Sequence, residues 1–260
     1  KKGSQYPSCW EMPVKSWITR PTDETGTVKA GKVQIVGVAM GGTKKIRSVK
    51  VSIDGGKDSL SMSTKVGKEV ISSPRELVLS GYVGCNDISK RVTPELKGMN
   101  TTLIFVDLAD NKKRMGGSAL AQVLNQIGNE APDMVSSNTL KECFHVVQDL
   151  LCDYIYTGHD RGDGGLMTTL TEMAIAGNVG FDIILPSQEK SYMEYLWNEE
   201  AGIVIEVHAK SVTYVTNCFN INDIPTCVLG TTNQSGTITI EHNKEVLLNT
   251  TVHILREIWE

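Results

Sequence analysis

The chain has 260 residues, of which 40% are hydrophobic and 22% are charged, so it is long enough for one large core or two modest ones. Lysine and arginine total 26 against 30 aspartate and glutamate residues, and this balance gives no support to a nucleic-acid partner. No stretch approaches the roughly 20 apolar residues that a membrane span needs. Six cysteines without a Cys-x-x-Cys pair fit free thiols in a reducing compartment. We therefore expect a cytoplasmic globular protein with neither a nucleic-acid nor a membrane partner.

The first half of the chain contains only short strand signals. Residues 1–45 are turn-rich and support no assignment apart from a strand-like run at 34–39. From Ile46 to Ile53 apolar and polar residues alternate, as in a strand with one buried face. A further strand is predicted at 77–82, so residues 46–97 are interpreted as a mostly β unit.

A glycine-rich stretch, Asp54-Gly55-Gly56-Lys57-Asp58-Ser59, follows the first of these strands. Two glycines at a strand end, followed by a lysine and a hydroxyl group, can hold a phosphate through backbone N–H groups and one mobile cation. An Asp-Gly hairpin turn explains the same glycines, and the local sequence alone favours that turn.

Thr93-Pro94 and Lys97-Gly98 mark a change of pattern, and residues 98–260 are interpreted as an α/β domain. The continuous apolar run at 103–108 predicts a strand that is covered on both faces. Further strands are predicted at 181–185 and 203–207, and a closing antiparallel meander at 227–229, 237–240 and 246–248. Helices are predicted after Gly116-Gly117-Ser118 with Leu120, Val123, Leu124 and Ile127 on one side, at 140–151 with Asn138 or Thr139 as cap, at 192–200, and at 212–219. Glu199 and Glu200 are expected to form a solvated helix end.

The stretch from His159 to Leu166 reads His-Asp-Arg-Gly-Asp-Gly-Gly-Leu and lies between an apolar run and a segment with helical spacing. This pattern predicts a strand, a tight turn and a helix start, at which free N–H groups attract phosphate. Its glycines allow a close backbone approach to a ligand, and Asp163 is placed to cap the first helical turn. A carboxylate beside such a turn is where Mg²⁺ would sit between protein and nucleotide. A capped turn without a ligand is the alternative that spacing alone leaves open.

Three stretches together resemble phosphoribosylformylglycinamidine synthase of the large, single-chain type. These stretches are residues 54–62, residues 114–122, and residues 159–166 together with Glu172-Met173-Ala174. Two further stretches, residues 198–202 and 255–260, are also similar to that family, in its second synthetase half. The likeness runs from about Val49 to Glu260. It implies a partial β-rich N-terminal domain at 46–97 followed by an α/β domain at 98–260, as in the aminoimidazole ribonucleotide synthetase-like superfamily, with residues 1–45 divergent.

The resemblance implies an ATP-dependent, amidine-forming ligase of purine biosynthesis, with ATP or ADP and Mg²⁺ as cofactors. Asp160 matches a Mg²⁺ ligand, and Ser59 aligns with a substrate contact. The residues implied to contact nucleotide or substrate are Gly55, Gly56, Lys57, Asp58, Ser59, Gly116, Gly117, His159, Gly162, Asp163, Gly164 and Gly165; no catalytic residue is assigned. The implied partners are a small-molecule substrate, the remaining synthetase half and the glutaminase domain.

Two departures from the family pattern limit this interpretation. Gly162 stands where the family usually has a serine, which removes a hydroxyl that would contact nucleotide phosphate. The metal ligands of the family's preceding helix have no match in residues 1–45. The chain is therefore expected to be inactive alone, and a non-catalytic structural half remains an alternative. A stand-alone protein similar to aminoimidazole ribonucleotide synthetase is a second alternative.

Overall fold

The computed structural model describes residues 50–53, 63–72, 79–82, 91–98, 100–151 and 153–260. The chain divides into two compact units, Lys1–Asn86 and Asp87–Glu260. Residues 1–49 and the glycine-rich stretch at 54–59 lie outside the described residues. No helix among the residues described is long and apolar enough to cross a membrane.

The first unit contains two described antiparallel strand pairs. Its strands are β1 (Lys50–Ile53), β2 (Ser63–Val66), β3 (Glu69–Ser72) and β4 (Leu79–Tyr82). β1 pairs with β4, and β2 pairs with β3. The predicted strands before Ile53 and at 77–82 are confirmed over their described residues. The β2–β3 hairpin, whose turn contains Gly67 at φ +63°, was not singled out by the sequence pattern.

The second unit is built around a seven-stranded sheet. Its elements are β5 (Thr101–Asp107), α1 (Ala119–Val123), α2 (Ser137–Leu150), β6 (Ile155–Asp160), α3 (Gly165–Gly177), β7 (Gly180–Ile184), α4 (Tyr192–Trp197), β8 (Gly202–His208), α5 (Val212–Asn220), β9 (Thr226–Asn233), β10 (Thr237–His242), β11 (Glu245–Thr251) and α6 (Val252–Trp259). The strand order is β11-β10-β7-β9-β5-β8-β6.

The functional stretches lie at one edge of this sheet because of how the strands pair. β5 and β6 both run antiparallel to β8, so they run in the same direction. Asp107 at the end of β5 pairs with Gly202, and Asp160 at the end of β6 pairs with Ile203, at the start of β8. We call this edge, defined by Asp107, Asp160 and Gly202, the site edge.

Helices cover the sheet on both faces. Every residue of β5 is buried, as the apolar run predicted. Leu103 and Phe105 belong to a core cluster with Leu170 and Met173 of α3. The alternate residues of β5 face the other side, where α5 contacts β8 and β9 and α2 contacts α5. The prediction of a strand covered on both faces is confirmed.

The segment before β5 packs within the second unit, upstream of the predicted boundary at 97/98. Leu96 is buried, and its N–H donates to the carbonyl of Met173 over 3.3 Å. The fully buried carboxylate of Glu206 accepts hydrogen bonds from the N–H groups of Lys97 and Gly98 and from the hydroxyl of Thr101. Glu206 therefore ties this segment to β8.

Three local predictions were wrong, the third of them in part. The helix after Ser118 ends at Val123, and Val123, Leu124 and Ile127 are exposed rather than packed. Helix α2 is capped by Ser136, whose side chain accepts from the N–H of Thr139. The closing meander is only half formed: β10 and β11 pair antiparallel as predicted, but β9 pairs with β7 and β5 and not with β10.

Candidate functional site

The turn between β6 and α3 needs glycine for packing within the chain. Gly164 and Gly165 have φ values of +80° and +68°, a left-handed conformation that residues with a Cβ adopt at a cost. A Cβ on Gly165 would lie 2.6 Å from the carbonyl oxygen of Asn198, just after α4. The predicted strand, turn and helix start is confirmed. The close approach observed at Gly165 is to the chain's own backbone.

The start of α3 is satisfied by Glu199 and not by Asp163, which is exposed. The N-cap residue is Gly164, and no side chain of its own caps the helix. Its N–H donates over 2.8 Å to Oε1 of Glu199. The same oxygen accepts from the N–H of Ala119 over 2.7 Å, at the start of α1. One carboxylate therefore holds both glycine-rich stretches at the site edge, and the prediction that Asp163 caps the helix was wrong.

Glu200 is also not a solvated helix end. Its side chain is fully buried, and both of its oxygens accept hydrogen bonds from the Arg114 guanidinium. The backbone N–H of Arg114 donates to the same carboxylate over 3.0 Å. The hydrogen bond to Glu200 raises the pKa of Arg114 above its usual value. The pair fixes the residues that precede Gly116 against the end of α4.

Gly116 and Gly117 use their N–H groups internally. The N–H of Gly116 donates to the carbonyl of Glu130 and that of Gly117 to the carbonyl of Ile127, each over 2.6 Å. A Cβ on Gly116 would lie 2.4 Å from the Glu130 oxygen, so this position also requires glycine. Ser118 then caps α1 by accepting from the N–H of Ala121. In this conformation neither glycine has an N–H left for a phosphate.

His159 and Asp160 form a charged group at the end of β6. Nδ1 of His159 lies 3.2 Å from Oδ1 of Asp160, and Nε2 lies 2.7 Å from Oε2 of Glu172. Burial lowers the pKa of His159, but hydrogen bonds to Asp160 and Glu172 outweigh this and raise the pKa to about 9. His159 is therefore a cation at neutral pH in this arrangement. Among the described residues no group of three or more His, Cys, Asp or Glu side chains could hold a metal ion.

The structure brings most of the predicted positions to the site edge. The stretch 159–165 forms one turn, and Gly116 and Gly117 are held close to it through Ala119 and Glu199. The stretch 55–59 lies outside the described residues. Sequence reasoning missed the roles of Glu199 and Glu200, although both belong to the 198–202 stretch in which it had noted a family likeness.

The sheet and its edge define a class of protein: an α/β domain that presents two glycine-rich turns, joined by a carboxylate, beside the ends of its strands. The family model described as "AIR synthase related protein, C-terminal domain" matches residues 102–243, more than half of the chain. The chain belongs to this family. A second model, described as "Mo-co oxidoreductase dimerisation domain", matches residues 6–72, which include most of the segment that the sequence left unassigned.

Several relatives carry one name. A protein of Arabidopsis thaliana, named probable phosphoribosylformylglycinamidine synthase, chloroplastic/mitochondrial, is 42% identical over 213 residues, covering 81% of this chain and 15% of the relative. The human phosphoribosylformylglycinamidine synthase is 38% identical over 216 residues, covering 81% of this chain and 16% of its own. The chain thus spans less than one fifth of these relatives, and the predicted family resemblance is confirmed.

Solved structures agree on the fold. T. maritima PurL complexed with ATP has a TM-score of 0.53 and 14% identity, over 68% of this chain and 29% of the other. The same protein complexed with FGAR gives a TM-score of 0.54 and 14% identity, over 68% of this chain and 31% of the other. The predicted fold class, a mixed α/β architecture of this superfamily, is confirmed.

Proposed function

We propose that this chain is a segment of an ATP-dependent ligase of the phosphoribosylformylglycinamidine synthase type, and that its site edge supplies half of a nucleotide pocket. The names of the relatives support this proposal. Because the chain spans only 15% and 16% of the two relatives, the remaining synthetase half and a glutaminase domain are its proposed partners. A free-standing enzyme similar to aminoimidazole ribonucleotide synthetase is not favoured by these names. A cytoplasmic location stays part of the proposal.

The reaction implied by the family makes a clear physical demand. ATP phosphorylates the amide oxygen of formylglycinamide ribonucleotide, and ammonia from glutamine displaces the phosphate to give the amidine. Donors and cations must stabilise the charge on the transferred phosphoryl group. Of these, this chain offers the protonated His159 and, in the carboxylate of Asp160, a group that could hold a cation.

The position of Asp160 carries the proposal. The residue is only 5% exposed and lies at the end of β6, directly before the turn that starts α3. A nearly buried carboxylate beside a helix start fits a Mg²⁺ ion that also binds nucleotide phosphates. Asp160 is the residue that would hold the ion, with further oxygens supplied by phosphate. A Mg²⁺ ion held by Asp160 would neutralise part of the negative charge of the nucleotide phosphates.

A structural nucleotide, bound without turnover, is the form of this function that the family resemblance implies, and the contacts at the site edge agree with it. Gly162 lacks the hydroxyl of the family serine. The N–H groups of Gly116 and Gly117 are donated to backbone carbonyls, and that of Gly164 to Glu199. The site edge therefore keeps few N–H donors that could stabilise a phosphoryl group during its transfer. We expect this chain alone to bind nucleotide and not to catalyse the transfer.

Thermal unfolding with Mg-ADP, Mg-ATP, nucleotide plus chelator, and Mg²⁺ alone tests the proposal. A ligand at about 100 times its Kd stabilises the folded chain by about 2.7 kcal/mol. Asp160→Asn should abolish the magnesium-dependent part of the Tm shift. Gly162→Ser should restore a phosphate contact and tighten nucleotide binding about 5- to 10-fold.

Glu245→Gln is the matched control, because it makes the same carboxylate-to-amide change at an exposed position on β11. Each variant is compared with its own Tm without ligand, so that altered stability does not count as altered binding. If neither nucleotide shifts the Tm of the wild-type chain or of Gly162→Ser, the proposed nucleotide pocket is wrong. The alternative of a non-catalytic structural half would then be the one supported.

A further inference from the structure

A cavity opens at the site edge, apart from the proposed nucleotide turn. It has a volume of about 180 Å³ and lies beside the ends of β5 and β6. We call it the Arg161 pocket; the lining residues that matter are Phe105, Asp107, Lys113, Arg161, Tyr195 and Cys227. Its lining includes neither Asp160 nor the glycines of the β6–α3 turn.

Arg161 brings an incompletely neutralised charge to this pocket. The residue is 4% exposed, and its guanidinium donates to the backbone carbonyls of Glu200 and Ala201. Its Nη2 lies 3.9 Å from Oδ1 of Asp107. Both oxygens of Asp107 already accept backbone N–H groups, from Ala109 over 3.0 Å and from Asn111 over 2.7 Å. A buried cation without a close carboxylate partner is costly.

The guanidinium of Arg161 is charged at neutral pH, as arginine side chains in proteins are. The guanidinium lies 4.7 Å from the centre of the Phe105 ring, which fixes its plane against the pocket wall.

Tyr195 adds a hydrogen-bond donor. The residue is 7% exposed, and its buried hydroxyl has no nitrogen or oxygen partner among the described residues; the Cys227 thiol beside it is a weak hydrogen-bonding group. A buried, unsatisfied hydroxyl costs about 1–3 kcal/mol. Burial raises the pKa of Tyr195, so the hydroxyl keeps its proton. Burial also raises the pKa of the neighbouring Cys227 thiol, which therefore stays neutral and is not a thiolate nucleophile.

The remaining charges of the lining favour an anion. Lys113 pairs with Glu189 over 2.9 Å, and both side chains are mostly buried. With Lys112 and Arg161, the lining carries three cations against the two carboxylates of Asp107 and Glu189. A ligand that brings one negative charge would balance this set.

We propose that the Arg161 pocket binds a small oxyanion, a carboxylate or a phosphate group, that accepts hydrogen bonds from Arg161 and Tyr195. The cavity of about 180 Å³ is smaller than typical pockets for drug-sized ligands, which suits a small ligand. The planar donor fork of an arginine matches either oxyanion. This binding site is independent of the nucleotide proposed above.

Calorimetric titration of the whole chain with malonate and, separately, with inorganic phosphate tests the proposal and distinguishes the two sources of an oxyanion. We expect one of them to bind with a Kd on the order of 1 mM. Tyr195→Phe should weaken that binding about 5- to 10-fold, the effect of one lost hydrogen bond. Because the neighbouring Cys227 thiol is only a weak partner for the hydroxyl, the same variant should unfold close to the wild-type temperature, which a merely structural role of the hydroxyl would not allow.

Tyr156→Phe on β6 is the matched control and should leave the affinity unchanged, because Tyr156 is exposed and outside the pocket. Lys113→Met should also weaken binding, and this provides a second variant that spares the buried arginine. The Mg-ADP response of Tyr195→Phe should equal that of wild type, which separates this proposal from the nucleotide site. The proposal is overturned if neither anion binds, if Tyr195→Phe binds as tightly as wild type, or if that variant unfolds at a clearly lower temperature.

Discussion

Glu199 connects the two glycine-rich stretches, and its removal is the most informative perturbation of the site edge. Oε1 accepts from the N–H of Ala119 over 2.7 Å and from the N–H of Gly164 over 2.8 Å. Hydrogen bonds to a charged acceptor contribute about 1.5–3 kcal/mol each. Because Glu199 is only half-buried, we take the lower part of that range. Glu199→Ala should lower the free energy of unfolding by about 3–4 kcal/mol.

Glu199→Gln separates charge from hydrogen bonding. Both bonds converge on one oxygen, which the amide oxygen can replace. We expect Gln to recover about half of the loss, because only the charge and its favourable position at the start of α3 are removed. The assay is urea unfolding followed by far-UV circular dichroism, together with the fluorescence of Trp197, two residues away. Glu257→Ala, whose carboxylate is 66% exposed on α6, is the control and should show no measurable change.

The outcome that refutes this reasoning is specific. If Glu199→Ala lowers the free energy of unfolding by less than about 0.5 kcal/mol, water satisfies the two N–H groups as well as the carboxylate does. If Gln destabilises the chain as much as Ala, the negative charge and not the bridging geometry is what stabilises the site edge.

Two further predictions follow from the same edge. Gly165→Ala should destabilise the chain by at least about 3 kcal/mol, because the added Cβ would clash with backbone atoms. Gly117 also has a positive φ, +73°, but no atom lies within 4 Å of an added Cβ, so Gly117→Ala should destabilise the chain by about 1 kcal/mol. Urea unfolding of both variants measures the difference. The pKa of His159 is raised from 6.5 to about 9, so the stability that it contributes is complete below pH 6.5 and lost as pH rises to about 9. His159→Gln should flatten the decline in unfolding free energy over that range, and an unchanged slope would contradict the contacts with Asp160 and Glu172.

Local sequence patterns were sufficient where the structure depends on neighbours in the chain. The run at 103–108 predicted β5 because a strand buried on both faces needs apolar residues at every position. Gly162, Gly164 and Gly165 predicted the turn between β6 and α3, because they lie between an apolar run typical of a strand and a segment whose apolar residues have helical spacing. Both features could be placed to within a few residues.

Pairing between distant strands could not be predicted in this way. β10 lies parallel to β7 although β9 precedes it in the chain, so only the β10–β11 pair of the meander suggested by sequence order is present. Apolar alternation identifies the buried face of a strand and does not identify its neighbour. The short α1 shows a related limit, since Val123 and Ile127 match helical spacing yet are exposed because the helix ends first.

The two glutamates were misjudged for a geometric reason. At Asn198 the backbone leaves the helix, with ψ at 146°, so Glu199 and Glu200 are not adjacent helical positions. The extended backbone directs one carboxylate to Ala119 and Gly164 and the other to Arg114. A prediction that assumes helix up to Glu200 places both side chains in solvent.

Glu199 also bears on the choice between catalysis and structural binding. A phosphate oxygen at the start of α3 would need the donor at Gly164 that the Glu199 carboxylate already uses, and two anions cannot share it without repulsion. A transferred phosphoryl group needs donors that are ready before the reaction, because rearrangement would add to the barrier. Gly162, which lacks the family's hydroxyl, offers no replacement for that donor. A nucleotide held mainly through Mg²⁺ at Asp160 is consistent with these contacts, and a reaction centre at this turn is not.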